Sequence, residues 1–218
     1  MTINKLITHS GGFHADELLS SAVLTHLFPN AQLIRSRDPI LVAPAADKII
    51  YDVGGAYNAD TQIFDHHQRP GPLRIDGQPF SSFGLIWAHY GRDYLVKMNF
   101  PAEEIEIVHA KFDVEFVLPI DLLDNGAIQL SVAGPLANLT LPTLLESLRP
   151  VFDDGLRDVD DNAFFAALPI ARRFLEAAIC QLAAEARARH IVLKAIEKAG
   201  KSPVLELPMG MPYRSTLE

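Results

Sequence analysis

Two strand-like segments, "KLITHS" (5–10) and "AQLIRS" (31–36), are separated by one helix-period stretch, "DELLSSAVLTHLF" (16–28). That arrangement limits the possible folds more than any other feature of the chain. A stretch that places Leu19, Ala22, Val23, His26 and Leu27 on one helical face is no hairpin turn. The flanking strands are therefore expected to run parallel, joined by a crossover helix. A third, β-branched run, "DKIIYDVGG" (47–55), closes on two glycines, and "TQIFDHH" (61–67) is a further short extended segment. The expectation is an α/β fold with a mainly parallel, Rossmann-like sheet flanked by helices.

The character changes after the Pro/Gly-rich stretch "RPGPLRIDGQP" (69–79). "SSFGLIWAHYG" (81–91) reads as a helix capped by Ser81 or Ser82 and stopped by Gly91. "PAEEIEIVHAKFDVEF" (101–116) has Pro at the first helical position and acids in the first turn. From about 160 to 199, Phe164, Ala167, Ile170, Ala171, Phe174, Ala178, Leu182, Ile191 and Ile196 recur at helical spacing. Pro169 is expected to start or kink one of these helices, with Gly200 as a stop. "SPVLELPMGMPYRSTLE" reads as a strand followed by a loop. The expected organisation is an α/β domain over residues 1–130. Residues 131–218 then form a mainly helical region with the start of an incomplete C-terminal domain.

A formal net charge of −8 with no basic run argues against a general binder of duplex nucleic acid, which needs Lys and Arg to displace counterions. A short or small anionic substrate held through metal is compatible with it. The single cysteine, Cys180, excludes an internal disulfide framework and fits a reducing compartment. There is no basic apolar leader and no apolar run approaching the ~18 residues that span a bilayer. A cytoplasmic protein without a membrane partner is expected; nothing in the pattern sets an oligomeric state.

Acids and imidazoles gather where the apolar strands end. His9, His14 and Asp16 follow the first, Asp52 ends the third, and Asp65, His66 and His67 end the fourth. Ligands of open parallel sheets collect outside the carboxyl ends of the strands, so these three groups should converge. Taken singly they have plain explanations: His14 and Asp16 could cap a helix, and Asp52 could form a turn. Their coincidence points to metal. Imidazole and carboxylate without cysteine suit Mn, Fe, Co or Zn. The set exceeds one tetrahedral site, so two ions are expected, with Asp52 on the middle strand placed to bridge them. Two ions ~3.5–4 Å apart are the apparatus of phosphoryl hydrolysis. Gly11 and Gly12 would bring backbone N–H groups near an anion, and Gly54 and Gly55 would allow close approach behind Asp52.

The triplet Asp65-His66-His67 resembles the signature of the DHH phosphoesterase superfamily. With "THSGGFHADE", "RSRDP" (35–39), "YDVGGAYN" (51–58), "FDHHQR" (64–69), "SSFGLIWAHYG" and "DLLDNG" (121–126) in order, the chain is similar to the Myg-one family, uncharacterised protein family 0160. Older naming calls that family a metal-dependent protein hydrolase, and its eukaryotic relatives are described as RNA exonucleases. The resemblance implies that His9 and His14 hold one ion, Asp16 and His66 the other, and that Asp52 bridges. His14 stands where most of the superfamily has an aspartate. His67 would face the substrate phosphate, with Asp65 orienting the histidine pair. A late aspartate completes the set: Asp124 first, Asp121 as the alternative. Arg37 and Asp38 fall in a family motif and are expected to meet substrate. The superfamily continues into a second domain with a glycine-rich substrate motif, which nothing after Pro203 resembles. A shortened member, a truncated chain or a different substrate clamp would each account for that.

The leading expectation is a two-metal hydrolase of phosphodiester bonds in RNA or short oligonucleotides, exonuclease-like, using Mn2+ first and Mg2+, Zn2+ or Co2+ next. The alternatives are a pyrophosphatase or small phosphate-ester hydrolase, and a non-catalytic metal- or nucleotide-binding module.

Overall fold

The computed structural model describes residues 2–129, 134, 136, 139–153 and 158–217. Five strands form one sheet in the order β2-β1-β3-β5-β4: β1 is Lys5–Thr8, β2 Gln32–Arg35, β3 Lys48–Tyr51, β4 Tyr57–Asn58 and β5 Ile63–Phe64. β1 pairs parallel with β2 and with β3, so Leu6 lies opposite Leu33 and Ile49. β3 pairs parallel with β5, and the two-residue edge strand β4 runs antiparallel to β5. Helix α1, Ala15–Leu27, is the expected crossover from β1 to β2. The chain leaves β1 for one side of the sheet and later enters β3 on the other. The order therefore reverses at β1, and a crevice opens at the carboxyl ends of β1 and β3.

The pleat sends alternate residues to opposite faces. Leu6, Ile49, Tyr51 and Phe64 join a large core with α1, α3 (Ser82–Lys97) and α7 (Val159–Ala199). Ile7, Ile50 and Ile63 point the other way, onto Ile34, Val42, Val53 and Ala56. Among the described residues, the four-residue α2, Pro39–Val42, and the turn after β3 cover this second face. The long helices thus lie on one side.

Several boundaries differ from the sequence reading. α3 does not stop at Gly91 but runs on to Lys97. A Cβ at Gly91 would fall 2.8–2.9 Å from the Trp87 and His109 rings, so this glycine serves a close helix contact and not an end. Those two rings stack at 9° and 5.3 Å, joining α3 to α4, Ala102–Phe112. Pro101 sits at the N-cap of α4, one residue before the helix. A wide π-type turn, Asp113–Val117, leads directly into α5, Leu118–Asp124; α6 is Leu141–Glu146.

Instead of several helices, residues 159–199 form one helix that continues through Pro169. Its buried stripe includes Phe164, Ala167, Ala171, Leu175, Ile179 and Leu182. Unbroken 3.6-residue winding leaves Ile170, Phe174, Ile191 and Ile196 outside that stripe, and they are exposed. The expected strand after Ser202 is absent, with Val204 exposed and unladdered; a short α8, Arg214–Leu217, follows. The 130/131 boundary of the expected division lies outside the described residues. α7 packs on the α1 layer, with Phe164 edge-on to Phe13 at 5.6 Å. Arg35, at the end of β2, donates to Asp161 of α7 (2.6 Å) and to the Gly11 carbonyl (2.5 Å). The helix and the turn leading to the strand-end histidines are thereby tied together.

Candidate metal centre

Each strand-end group reaches the crevice for a local reason. β1 ends at Thr8, so His9 and the Gly11–Gly12 turn lie just beyond its last ladder pair. His14 is the N-cap of α1, and its backbone N–H donates to the Glu17 carboxylate at 2.8 Å, the reciprocal half of a capping box. That bond points Glu17 back toward the strand ends, and the first helical turn carries Asp16 in beside it. β3 ends one residue before Asp52, whose φ of +54° turns the chain out of the strand. β5 ends at Phe64, so Asp65, His66 and His67 are no longer bound by strand alternation. Both imidazoles then reach the same carboxylate: His66 Nε2 is 3.3 Å and His67 Nδ1 3.6 Å from Asp52 Oδ1.

Asp52 sits in the middle. Its Oδ2 is 3.1 Å from His9 Nε2, which is itself 2.9 Å from Glu17 Oε1. On the other side His66 Nε2 lies 3.3 Å from Asp124 Oδ2 and 3.8 Å from Asp16 Oδ2. Donor atoms of His9, His14 and Glu17 fall within 4.8 Å of one another. So do those of Asp16, His66 and Asp124, those of Asp52, His66 and His67, and those of Asp16, Glu17 and Asp52. Asp16, Glu17 and Asp52 are all buried.

The charges are mutually strained. Burial, then the neighbouring Asp52 and Asp124 carboxylates, push the Asp16 carboxyl well above its usual range. Burial and the nearby Asp52 also hold Asp124 up, to about 6, although His66 acts against them. Asp52 goes the other way: burial opposes ionisation, but hydrogen bonds to His66 and His9 outweigh it and pull its carboxyl down. His9 is desolvated, yet its bonds to Asp52 and Glu17 raise it to about 10. Among the described residues, neither Asp16 oxygen has a hydrogen-bond partner, although the residue is only 1% exposed. A buried carboxylate is normally paired or coordinates a metal. Two orphaned oxygens facing imidazoles and other acids suit a divalent cation, and the hard, mixed O/N donor set suits it too.

Asp65 serves its neighbours. Its Oδ2 accepts from the Gly55 N–H (2.6 Å), and its Oδ1 takes the His66 N–H (2.7 Å), the His67 N–H (3.1 Å) and His67 Nδ1–H (2.7 Å). The Asp65 bond raises the His67 imidazole, whose side chain is 63% exposed. Asp121 stands apart from the cluster. It accepts from Ser81 Oγ (2.6 Å), Arg74 Nη2 (2.7 Å) and the Gly84 N–H (3.1 Å), while Asp124, one turn on, reaches His66. Arg37 lines the cavity above the cluster, its Nε held 3.3 Å from the Ser10 carbonyl. Asp38 lies elsewhere: its side chain caps α2 by accepting from the Ile40 N–H at 2.9 Å. Two participants escaped the sequence reading. Glu17 was hidden as an ordinary first-turn acid, and Ser82 Oγ lies within 3.2 Å of Asp52 Oδ1.

The cluster floors a cavity of about 690 Å³, walled by the 69–80 segment, by α5 and by the start of α6. Among the described residues no helix is long and apolar enough to cross a membrane.

The family model described as uncharacterised protein family (UPF0160) matches residues 5–218. A mouse protein named MYG1 exonuclease is 33% identical over 184 aligned positions, covering 78% of this chain and 48% of the relative. A fission-yeast MYG1 protein is 33% identical, with 98% of this chain and 69% of the relative covered. A budding-yeast MYG1 protein is 29% identical, again over 98% and 69% of the two chains. The chain thus spans about half the length of the mouse relative. No solved structure matches significantly. On the match over residues 5–218 and the fission-yeast relative, the chain belongs to the MYG1 family, UPF0160.

Proposed function

We propose that this chain is a two-metal-ion phosphoesterase of the DHH superfamily that hydrolyses phosphodiester bonds of RNA or short oligonucleotides in an exonuclease-like manner in the cytoplasm. The observation that carries the reading is Asp16, a buried carboxylate with neither oxygen hydrogen-bonded among the described residues, set among acids and imidazoles at the ends of three parallel strands. The word exonuclease in the mouse relative's name supports the nucleic-acid side of the reading.

In this reading His9 and His14, with Glu17 beside them, would hold one ion. Asp16, His66 and Asp124 would hold the other, with Asp52 between the two groups. Mn2+ is the first choice, ahead of Mg2+, Zn2+ or Co2+. Bound there, the ions supply Lewis-acid activation of water and of the phosphoryl oxygens. The chain's own groups do the rest. Asp65 fixes the His67 tautomer by taking its Nδ1–H, so Nε2 is presented to the substrate phosphate. Arg37 offers a cation at the cavity wall, its Nε held by the Ser10 carbonyl. The α/β part up to α5 carries the metal chemistry, and the described residues beyond it are mainly helical.

The test is turnover of a dinucleotide, a short RNA and pyrophosphate with Mn2+ or Mg2+, alongside Asp52→Asn. Mn2+-dependent release of mononucleotides is expected, with pyrophosphate the poorer substrate and Asp52→Asn slower by more than ~10³-fold. Preference for pyrophosphate moves the assignment to the small-ester alternative. Tight metal binding without turnover leaves a binding module.

A further inference from the structure

The segment after the histidine pair folds into a small hairpin. Phe80 N–H donates to the Pro72 carbonyl (3.1 Å), Arg74 N–H to the Gln78 carbonyl (2.7 Å), and Leu73 bridges Pro79. The hairpin is pinned from behind. Arg74 donates to Asp113 (2.5 and 3.1 Å) and to Asp121 (2.7 Å), and its guanidinium lies 4.5 Å from the centre of the Phe80 ring. Phe80 is therefore backed on one side by a cation that two carboxylates immobilise. It also lines the cavity over the metal centre, together with Leu73, Leu123 and Pro142.

Phe80 is one side chain away from the histidines. Asn125 Nδ2 donates to the Phe80 carbonyl (3.1 Å), and Asn125 Oδ1 lies 3.4 Å from His66 Nδ1. A ligand whose phosphate meets the cluster would bring its next group to this wall. Inorganic phosphate or pyrophosphate would leave the apolar wall unused, and a cavity of about 690 Å³ has the size of sites that enclose larger organic ligands. A rigid aromatic ring exposed to a phosphate-handling cavity offers a stacking face to any base.

We infer that Phe80 is a stacking platform for the nucleobase next to the scissile phosphate, giving this pocket a preference for nucleotides without a preference for sequence. The inference rests on the phosphoesterase reading and names the group by which the substrate is gripped.

Calorimetry on the full chain with Mn2+ tests it, using AMP, UMP and ribose 5-phosphate as ligands. AMP and UMP should bind about tenfold or more tighter than ribose 5-phosphate. Phe80→Leu should remove that advantage while leaving ribose 5-phosphate and Mn2+ binding unchanged, and Phe80→Tyr should keep it. The inference is overturned if the nucleotides bind no better than the sugar phosphate. It is also overturned if Phe80→Leu changes nothing, or weakens all three ligands alike. Turnover of short RNA separates the two ideas. Base-dependent binding without turnover retains the platform and removes the phosphoesterase, whereas turnover without base dependence removes the platform alone.

Discussion

Two buried acidic clusters lie close together in this molecule and are built on opposite principles. Around Asp121 the carboxylate is matched: Ser81, Arg74 and the Gly84 N–H all donate to it, and a side chain at Gly84 would collide with it. Around Asp16, among the described residues, neither oxygen accepts a hydrogen bond, and the neighbours are further carboxylates and imidazoles. A satisfied buried acid holds elements together; an unsatisfied one is strain kept for a ligand.

The widest gap between the clusters should appear in thermal stability without metal. Asp121→Ala leaves the Arg74 guanidinium without one of its two acids and Ser81 without its acceptor, so a loss of about 3 kcal/mol or more is expected. That is a fall of roughly 6–12 °C for a chain of this size. Asp16→Asn should instead leave the metal-free protein as stable or slightly more so, while removing the rise in melting temperature on adding Mn2+. Equal destabilisation by both variants would erase the distinction drawn here.

The histidine pair offers a finer cut within one cluster. His66→Ala is expected to lower metal content and activity together. His67→Ala should keep the metal while activity falls by ~10²-fold, comparable to losing one oxyanion donor. Parallel metal loss in both variants, measured by elemental analysis, would contradict separate jobs.

Glu17→Gln probes whether charge or capping matters at the site's edge. The amide still accepts from the His14 N–H, so the helix start should survive. Mn2+ affinity should fall by ~10-fold or more, a magnitude typical of groups that orient or flank ligands. Unchanged affinity by calorimetry would confine Glu17 to the cap.

The smallest expected effect is protonic. Asp52 and Glu17 outweigh burial and keep the metal-free His9 protonated up to about pH 10, whereas a ligating imidazole must be neutral. Mn2+ binding near neutral pH should therefore expel at least one proton, that of His9, and affinity should rise with pH. Asp124, held up to about 6, adds a second competing proton as the pH falls through that value. Calorimetry in buffers of different ionisation enthalpy measures this, and binding without proton release would take His9 out of the ligand set.

Much of this was legible in the chain. The β1–α1–β2 crossover follows from one apolar helical face between two short strands, and polar strand ends mark the crevice. What stayed hidden did so for physical reasons. Asp121 and Asp124 are one turn apart on α5, so spacing cannot tell which of them faces His66; the Arg74 hairpin and the Ser81 cap engage Asp121 instead. Gly91 reads as a stop because a close helix contact and a helix end ask for the same residue. Likewise β4 is two residues long and owes its existence to its neighbour β5 rather than to any pattern of its own.

The backbone at Asp52 also bears on how this site can change over time. A left-handed conformation at φ +54° is comfortable for Asp, Asn or Gly and costly for most other residues. Drift at this position is therefore biased toward these three amino acids, one of which is active in the proposed reading. His14, at a helix start with ordinary extended backbone, has no such confinement. Lineages descended from such a chain would be expected to vary their metal chemistry at position 14 and to lose it, when they lose it, through Asn or Gly at position 52.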